Sequence, residues 1–170
     1  VAKAGFKANG RILIDERAHV IMPYHVALDS GGDAAGKLGT TKRGIGPVAK
    51  DKASRTEDIT VYDLISGSFK ERIKAVVAAK ANELVANKVV ERAADLSRYA
   101  DEIYSEYSRY AAKLKPYVGS CAYVLNEALA KGQTMLLEGA QATLLDIVHG
   151  TRPYVTSSNC TAGGAAANLG

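Results

Sequence analysis

Cysteine is scarce in this sequence: there are two, Cys121 and Cys160, with no CxxC spacing between them. That excludes a zinc ribbon and a disulfide-stapled secreted scaffold, and with no leader read at its start the expected setting is reduced and cytoplasmic, with both thiols buried. Long hydrophobic runs are lacking as well. No stretch approaches the ~20 apolar residues that cross a bilayer, so no membrane partner is expected. Clustered positive charge is missing: 22 Lys and Arg against 18 Asp and Glu leave a net +4 dispersed along the chain. The cationic stripe with aromatic partners that marks nucleic-acid binding is therefore absent, whereas small anions stay open as ligands. A Walker A loop, GxxxxGK[ST], is absent too.

What is present suits one globular unit. The 170 residues are 47% hydrophobic and 24% charged, close to the average of soluble domains, and a chain of this length can bury a core. Neither end resembles a natural terminus, since Val1 opens the sequence and AAANLG closes it within a Gly/Ala-rich stretch, so an internal piece of a longer protein is expected.

Three subregions follow from composition: 1–61 with strands and a Gly-rich loop, 62–131 helical, and 132–170 with a strand and a polar loop. RILID at Arg11 to Asp15 and HVIMPYHVAL at His19 to Leu28 read as a strand, a turn, and a second strand passing into helix. Six glycines between Ser30 and Gly46 predict a long loop, and loops of that length in compact domains are usually functional. From Tyr62 to Leu129, apolar residues recur at helical spacing (Ile73, Val76, Val77, Leu84, Val85, then Leu96, Tyr99, Ile103, Tyr107, Tyr110), predicting at least three helices. Pro116 breaks the last of these after Leu114, and a further helix is expected from about Val118 to Ala130, closed by Gly132. TMLLEG then reads as a strand, and 141–170 as mainly loop around LLDIV. Helix into strand into polar loop is the α/β arrangement that places ligands at strand carboxyl ends.

Two segments carry chemistry. GTTKRGIGPVAKDKASR, Gly39 to Arg55, combines adjacent hydroxyls, the cations Lys42 and Arg43, and glycines that let backbone N–H groups approach an anion. Without further context it reads equally as a solvated turn with spare charges. LLEGAQATLLDIVHGTRPYVTSSNCTAGG, Leu136 to Gly164, is dense in Gln141, Thr143, Asp146, His149, Thr156, Ser157, Ser158 and Asn159. Burying so many polar groups without partners would cost about 1–3 kcal/mol each, so a polar ligand, a wet cleft or local Asx and Ser/Thr turns must satisfy them.

At TTKRGIGP and at EGAQATLLDIVHGTRPYVTSSNCTAGG the sequence resembles the adenylosuccinate synthetase family, and the similarity extends to RILID, ERAHV and YHVALD. The resemblance implies an α/β fold, the central part of a P-loop-NTPase-like mixed or parallel sheet with a large helical insertion. It implies a GTP-dependent carbon–nitrogen ligase in which the 6-oxygen of IMP is phosphorylated and the amine of L-aspartate displaces the phosphate. Magnesium would hold the GTP phosphates, and a homodimer would share its sites. Thr41 and Thr156 would hold the 5′-phosphate of IMP, and Leu145 would form an apolar wall beneath the base. Gln141, the catalytic group, would hydrogen-bond the hypoxanthine near its 6-oxygen. Arg55 would reach the 5′-phosphate of the neighbouring subunit's site, and Arg43 would lie toward the aspartate carboxylates. His19, His25 and His149 are expected to be structural, because the family's acid histidine lies upstream of Val1. The GTP loop with its catalytic aspartate, the aspartate loop and the guanine-reading motif also lie outside these residues, so this piece is expected to hold neither GTP nor Mg2+ and not to turn over. Lys42, Val148 and Cys160 depart from the residues common in the family. Two other readings are a non-catalytic purine-monophosphate-binding module and a phage-type relative acting on dGMP.

Overall fold

The computed structural model describes residues 4–5, 7–8, 10–32 and 39–169, so the stretch 33–38 of the expected Gly-rich loop lies outside the described residues. The chain runs β1 (Ile14–Asp15), α1 (Pro23–Gly32), α2 (Ile45–Ser54), α3 (Val61–Ile65), α4 (Phe69–Ala79), α5 (Ala81–Ala86), α6 (Leu96–Leu114), β2 (Val118–Gly119), α7 (Cys121–Ala130) and α8 (Ala162–Leu169), with 3-10 turns at Ala93–Asp95, Lys115–Tyr117 and Thr143–Leu145. It is helix-rich with one small parallel sheet, in which Ile14 pairs with Val118 and Asp15 with Gly119.

The helical middle forms where its periodicity places it. On α4, Phe69, Ile73, Val76 and Val77 fall on one stripe and are buried against Ala100 and Ile103 of α6. Each such side chain contributes about 1.5–3 kcal/mol through the apolar surface it removes from water. Half-buried Leu96, Tyr99, Tyr104, Tyr107, Ala111 and Leu114 complete the face of α6, and Tyr107 Oη donates to Ile21 O at 2.9 Å, tying the helix to the residues before α1. Helix α6 ends at Leu114, and the chain tightens into a 3-10 turn across Pro116, which has no N–H to continue the α ladder. A capping box starts α3: the Thr60 hydroxyl accepts from Asp63 N at 3.2 Å, and the Asp63 carboxylate accepts from Thr60 N at 2.8 Å.

Several expectations change. Val118 and Gly119 are strand rather than helix, because the backbone of Ile14 and Asp15 lies beside them; Asp15 Oδ2 then accepts from Cys121 N at 2.9 Å at the start of α7. The expected first strand shrinks to two residues, and the second is a single bridge between His19 and Thr60. TMLLEG forms no strand. A strand exists only by pairing, and among the described residues no backbone lines up beside this segment, leaving Leu136 95% exposed. Beyond Asn159 the expected loop contains α8, whose alanines favour helix against the cost of Gly163 and Gly164 and which packs on α7, with Asn126 Nδ2 donating to Leu169 O at 2.9 Å. Cys121 and Cys160 are half-buried free thiols rather than buried ones.

Candidate functional site

The segment TTKRG is shaped by α1. Asp29, on the second turn of that helix, accepts from Thr40 Oγ1 at 2.8 Å and from Gly44 N at 2.9 Å, and the Thr40 hydroxyl accepts in turn from Lys42 N at 3.1 Å. Lys42 is left-handed, with φ 57°, which reverses the chain between Thr41 and Arg43. Both of these expected ligand residues are exposed. Gly44, with φ 81°, is N-cap to α2; a Cβ there would lie 2.9 Å from His25 Cβ and 3.0 Å from Ile21 Cγ2. Two independent penalties meet at this residue, a backbone region that L side chains avoid and a contact too short to keep. Gly44→Ala is therefore expected to lower unfolding stability by about 2 kcal/mol, measurable as a fall in denaturation midpoint. An unchanged midpoint would mean that the turn relaxes freely.

Helix α2 carries no side-chain cap at its start, so its first N–H groups and positive dipole end open beside Thr41 and Arg43. At the other end Arg55 is the C-cap, left-handed with φ 66° and exposed. Ten helical residues at 1.5 Å rise separate these ends by roughly 15 Å.

A buried charge network, not visible in the linear sequence, fixes α2 between its neighbours. Asp51 is 1% exposed; its Oδ2 lies 2.8 Å from His25 Nε2, and its Oδ1 accepts from Lys80 Nζ at 2.6 Å. His25 Nδ1 accepts from Met22 N at 2.8 Å, which assigns the ring hydrogen to Nε2 and makes His25 a donor to Asp51. Lys80 also meets Glu57 at 3.0 Å and Glu83 at 3.4 Å, and Glu83 meets Lys50 at 2.6 Å. Burial pushes the Asp51 carboxyl up, but the bonds from His25 and Lys80 outweigh it and hold it below its ordinary value; burial likewise pushes Lys80 down, and Asp51 and Glu57 together raise it. In the sequence Asp51 lies between Lys50 and Lys52 and reads as part of a solvated run. Only the return of Lys80 across 29 residues reveals its partner.

The second segment is organised by Asp146. This carboxylate is fully buried, shielded by the loop that it gathers: it accepts from Val148 N at 2.8 Å, from His149 N at 3.0 Å and from Cys160 N. Those backbone donors, that of His149 foremost, hold its pKa down to about 2. Asp146 thus binds its own loop. The two sides of the loop are stitched by Thr156 N to Leu145 O at 2.8 Å, Ile147 N to Ser158 O at 3.1 Å and Thr151 N to Leu144 O at 3.0 Å. These bonds bring Leu145 and half-buried Thr156 together, with Gln141 exposed at the bend just before the 143–145 turn. His149 is exposed, and His19 Nε2 lies 3.1 Å from Asp58.

The bonds that set 40–44 run to α1, and those that set 143–160 run within that segment. A cavity of about 480 Å³ lies over Val89–Arg92 and the first turns of α6, and another of about 310 Å³ lies between α3 and α6. None of Thr41, Arg43, Arg55, Gln141, Leu145 and Thr156 lines either one. Among the described residues no group of three His, Cys, Asp or Glu is placed to hold a metal ion, and no helix is long and apolar enough to cross a membrane.

The profile of the family described as adenylosuccinate synthetase matches residues 1–170. Adenylosuccinate synthetase of Thermobifida fusca is 43% identical over 163 residues, covering 94% of this chain and 37% of that protein. That of Chlorobium limicola is 44% identical over 174 residues, covering 100% of this chain and 39% of that protein. Among solved structures, fully ligated adenylosuccinate synthetase from Plasmodium falciparum matches with a TM-score of 0.81 at 30% identity, covering 100% of this chain and 39% of the other. The chain thus spans about two fifths of the length of the relatives it matches.

Proposed function

Because this chain belongs to the adenylosuccinate synthetase family, we propose that it is the IMP-binding central part of a ligase that couples GTP hydrolysis to the joining of IMP and L-aspartate in purine biosynthesis. The parent fold would be a P-loop-like α/β sheet, with 62–131 as its helical insertion. The observation that carries the reading is the exposed Thr41–Arg43 turn, braced from behind by α1 and set at the uncapped start of α2, an arrangement suited to a phosphate monoester.

In this reading Thr41 and Thr156 donate hydroxyl hydrogens to the 5′-phosphate, Leu145 lies under the base, and Arg43 faces the aspartate carboxylates. Gln141 donates its amide hydrogen to the 6-oxygen while accepting from a ring N–H. The chemical difficulty is that an amide-like oxygen leaves poorly; phosphorylation makes it a leaving group, and the protein positions the partners and stabilises charge growing on that oxygen. GTP and Mg2+ would be held by other parts of the full-length, cytoplasmic enzyme.

Arg55 is assigned to the neighbouring subunit's phosphate. The roughly 15 Å between the two ends of α2 supports this, because one protomer's arginine stands a helix length from its own Thr41. In the complete enzyme, Arg55→Leu is expected to raise KM for IMP about 10-fold or more, as loss of a charge-assisted phosphate bond would. Mixing it with Gln141→Leu should regenerate activity, since one site of each mixed dimer then has both residues intact. No recovery would remove the shared site. Calorimetric titration of the full-length protein with IMP and with dGMP tests the substrate: tight dGMP binding without IMP binding would overturn the assignment.

A further inference from the structure

We propose that Asp29 is a positioning residue for purine-monophosphate binding, clamping the five-residue turn Thr40–Gly44 from behind so that Thr41 is presented to the ligand; this rests on the assignment of Thr41 to the phosphate. The two carboxylate oxygens divide the work. Oδ1 takes the Thr40 hydroxyl at the entry of the turn, and Oδ2 takes the Gly44 N–H at its exit, where α2 begins. With its hydrogen directed at Asp29, the Thr40 oxygen offers a lone pair to Lys42 N, and that bond stabilises the left-handed Lys42 that turns the chain. Asp29 and His25 are four residues apart and so share one face of α1; His25 meets the same turn through its contact with Gly44. The loop therefore rests on α1 at the Asp29 carboxylate and at the His25–Gly44 contact.

A direct ligand role for Asp29 is poor chemistry, because a carboxylate repels a phosphate and both of its oxygens are already engaged by the loop. The negative charge beside an anion site is a cost that only its organising role offsets. Two mutational signatures follow. If charge repulsion were all that mattered, removing the carboxylate would tighten binding. If the clamp matters, removing it weakens binding, and a neutral group that can still bridge the two ends restores it. Asparagine is such a group: its Oδ1 can accept from Gly44 N while its Nδ2 donates to Thr40 Oγ1.

In the full-length synthetase, Asp29→Ala is expected to raise Kd and KM for IMP by about 10-fold, as loss of two hydrogen bonds of the binding loop would, with kcat at saturating IMP changed less than about 3-fold. Asp29→Asn should recover binding to within about 3-fold of the native protein. Amide exchange at Lys42 and Gly44 should accelerate in the alanine variant and return in the asparagine one, a readout independent of any ligand. Should Asp29→Ala fail to fold, Thr40→Val removes the entry bond without touching α1 and is expected to weaken IMP binding in the same direction. Unchanged or tighter binding in Asp29→Ala (or in Thr40→Val where the first is unfolded), or an asparagine variant as impaired as the alanine one, overturns the clamp. Failure of the native protein itself to bind IMP sinks the functional reading instead, and the exchange rates then judge the clamp alone.

Discussion

Gln141→Leu in the complete synthetase is expected to lower kcat by about 10²–10³-fold, the loss of roughly 2.7–4 kcal/mol of transition-state stabilisation that follows removal of one preorganised donor at a developing oxyanion. The substitution keeps the size of the side chain and deletes only its amide, so the surrounding loop should hold. That loop does not depend on Gln141: it is gathered by the Asp146 carboxylate and by the backbone bonds between Leu145 and Thr156 and between Ile147 and Ser158. Because the ground-state carbonyl of the base carries little charge, KM for IMP should change far less than kcat, which is the pattern of an interaction strengthened in the transition state. Steady-state kinetics with IMP varied at saturating GTP and aspartate decide the matter. A kcat within a factor of three of the native value would take Gln141 out of the reaction.

The parts of this chain that the sequence makes legible are those set by local rules. Ile73, Val76, Val77 and Leu84 recur at the helical period and lie in the core; Pro116 stops α6 where a missing N–H must stop it. Pairing is not local, and here the reading fails. Val118 and Gly119 become strand only because Ile14 and Asp15 pass alongside. TMLLEG, with the composition of a strand, stays unpaired because the described residues supply no neighbour, and its leucines stay on the surface. The same holds for the polar network. His25, Asp51 and Lys80 come from separate helical segments, and no spacing in the sequence shows that they meet. Asp146 is the intermediate case. Its neighbourhood suggests a local partner, and Val148 N and His149 N are such partners; the donor from Cys160 appears only once that residue folds back on the 140s.

That network should dominate the stability of α2 and set its pH limits. Asp51→Ala is expected to lower unfolding free energy by about 3 kcal/mol, because truncating one member of a buried ion group leaves the other charge unmatched. The lower end of the usual range applies, for Lys80 keeps Glu57 and Glu83 within reach. Asp51→Asn should cost less, since one oxygen can still accept from His25 or from Lys80. The native pH dependence has two flanks. Asp51 is held below its ordinary carboxyl value, so its stabilising contribution is present above about pH 4 and fades as pH falls through its folded value. Lys80 is held above its ordinary value, so its contribution is present below about pH 10 and is lost as pH rises through its folded value. In Asp51→Ala the acid flank from this carboxylate disappears. The alkaline flank moves to lower pH, because the buried ammonium, which burial alone pushes down, has lost its shortest partner. Urea unfolding of the full-length protein at a series of pH values, with amide exchange in α2 as the local readout, measures both effects. A loss under 1 kcal/mol together with an unmoved alkaline edge would show that Lys80 is neutralised well enough by Glu57 and Glu83, and that Asp51 does not anchor the helix carrying Arg55.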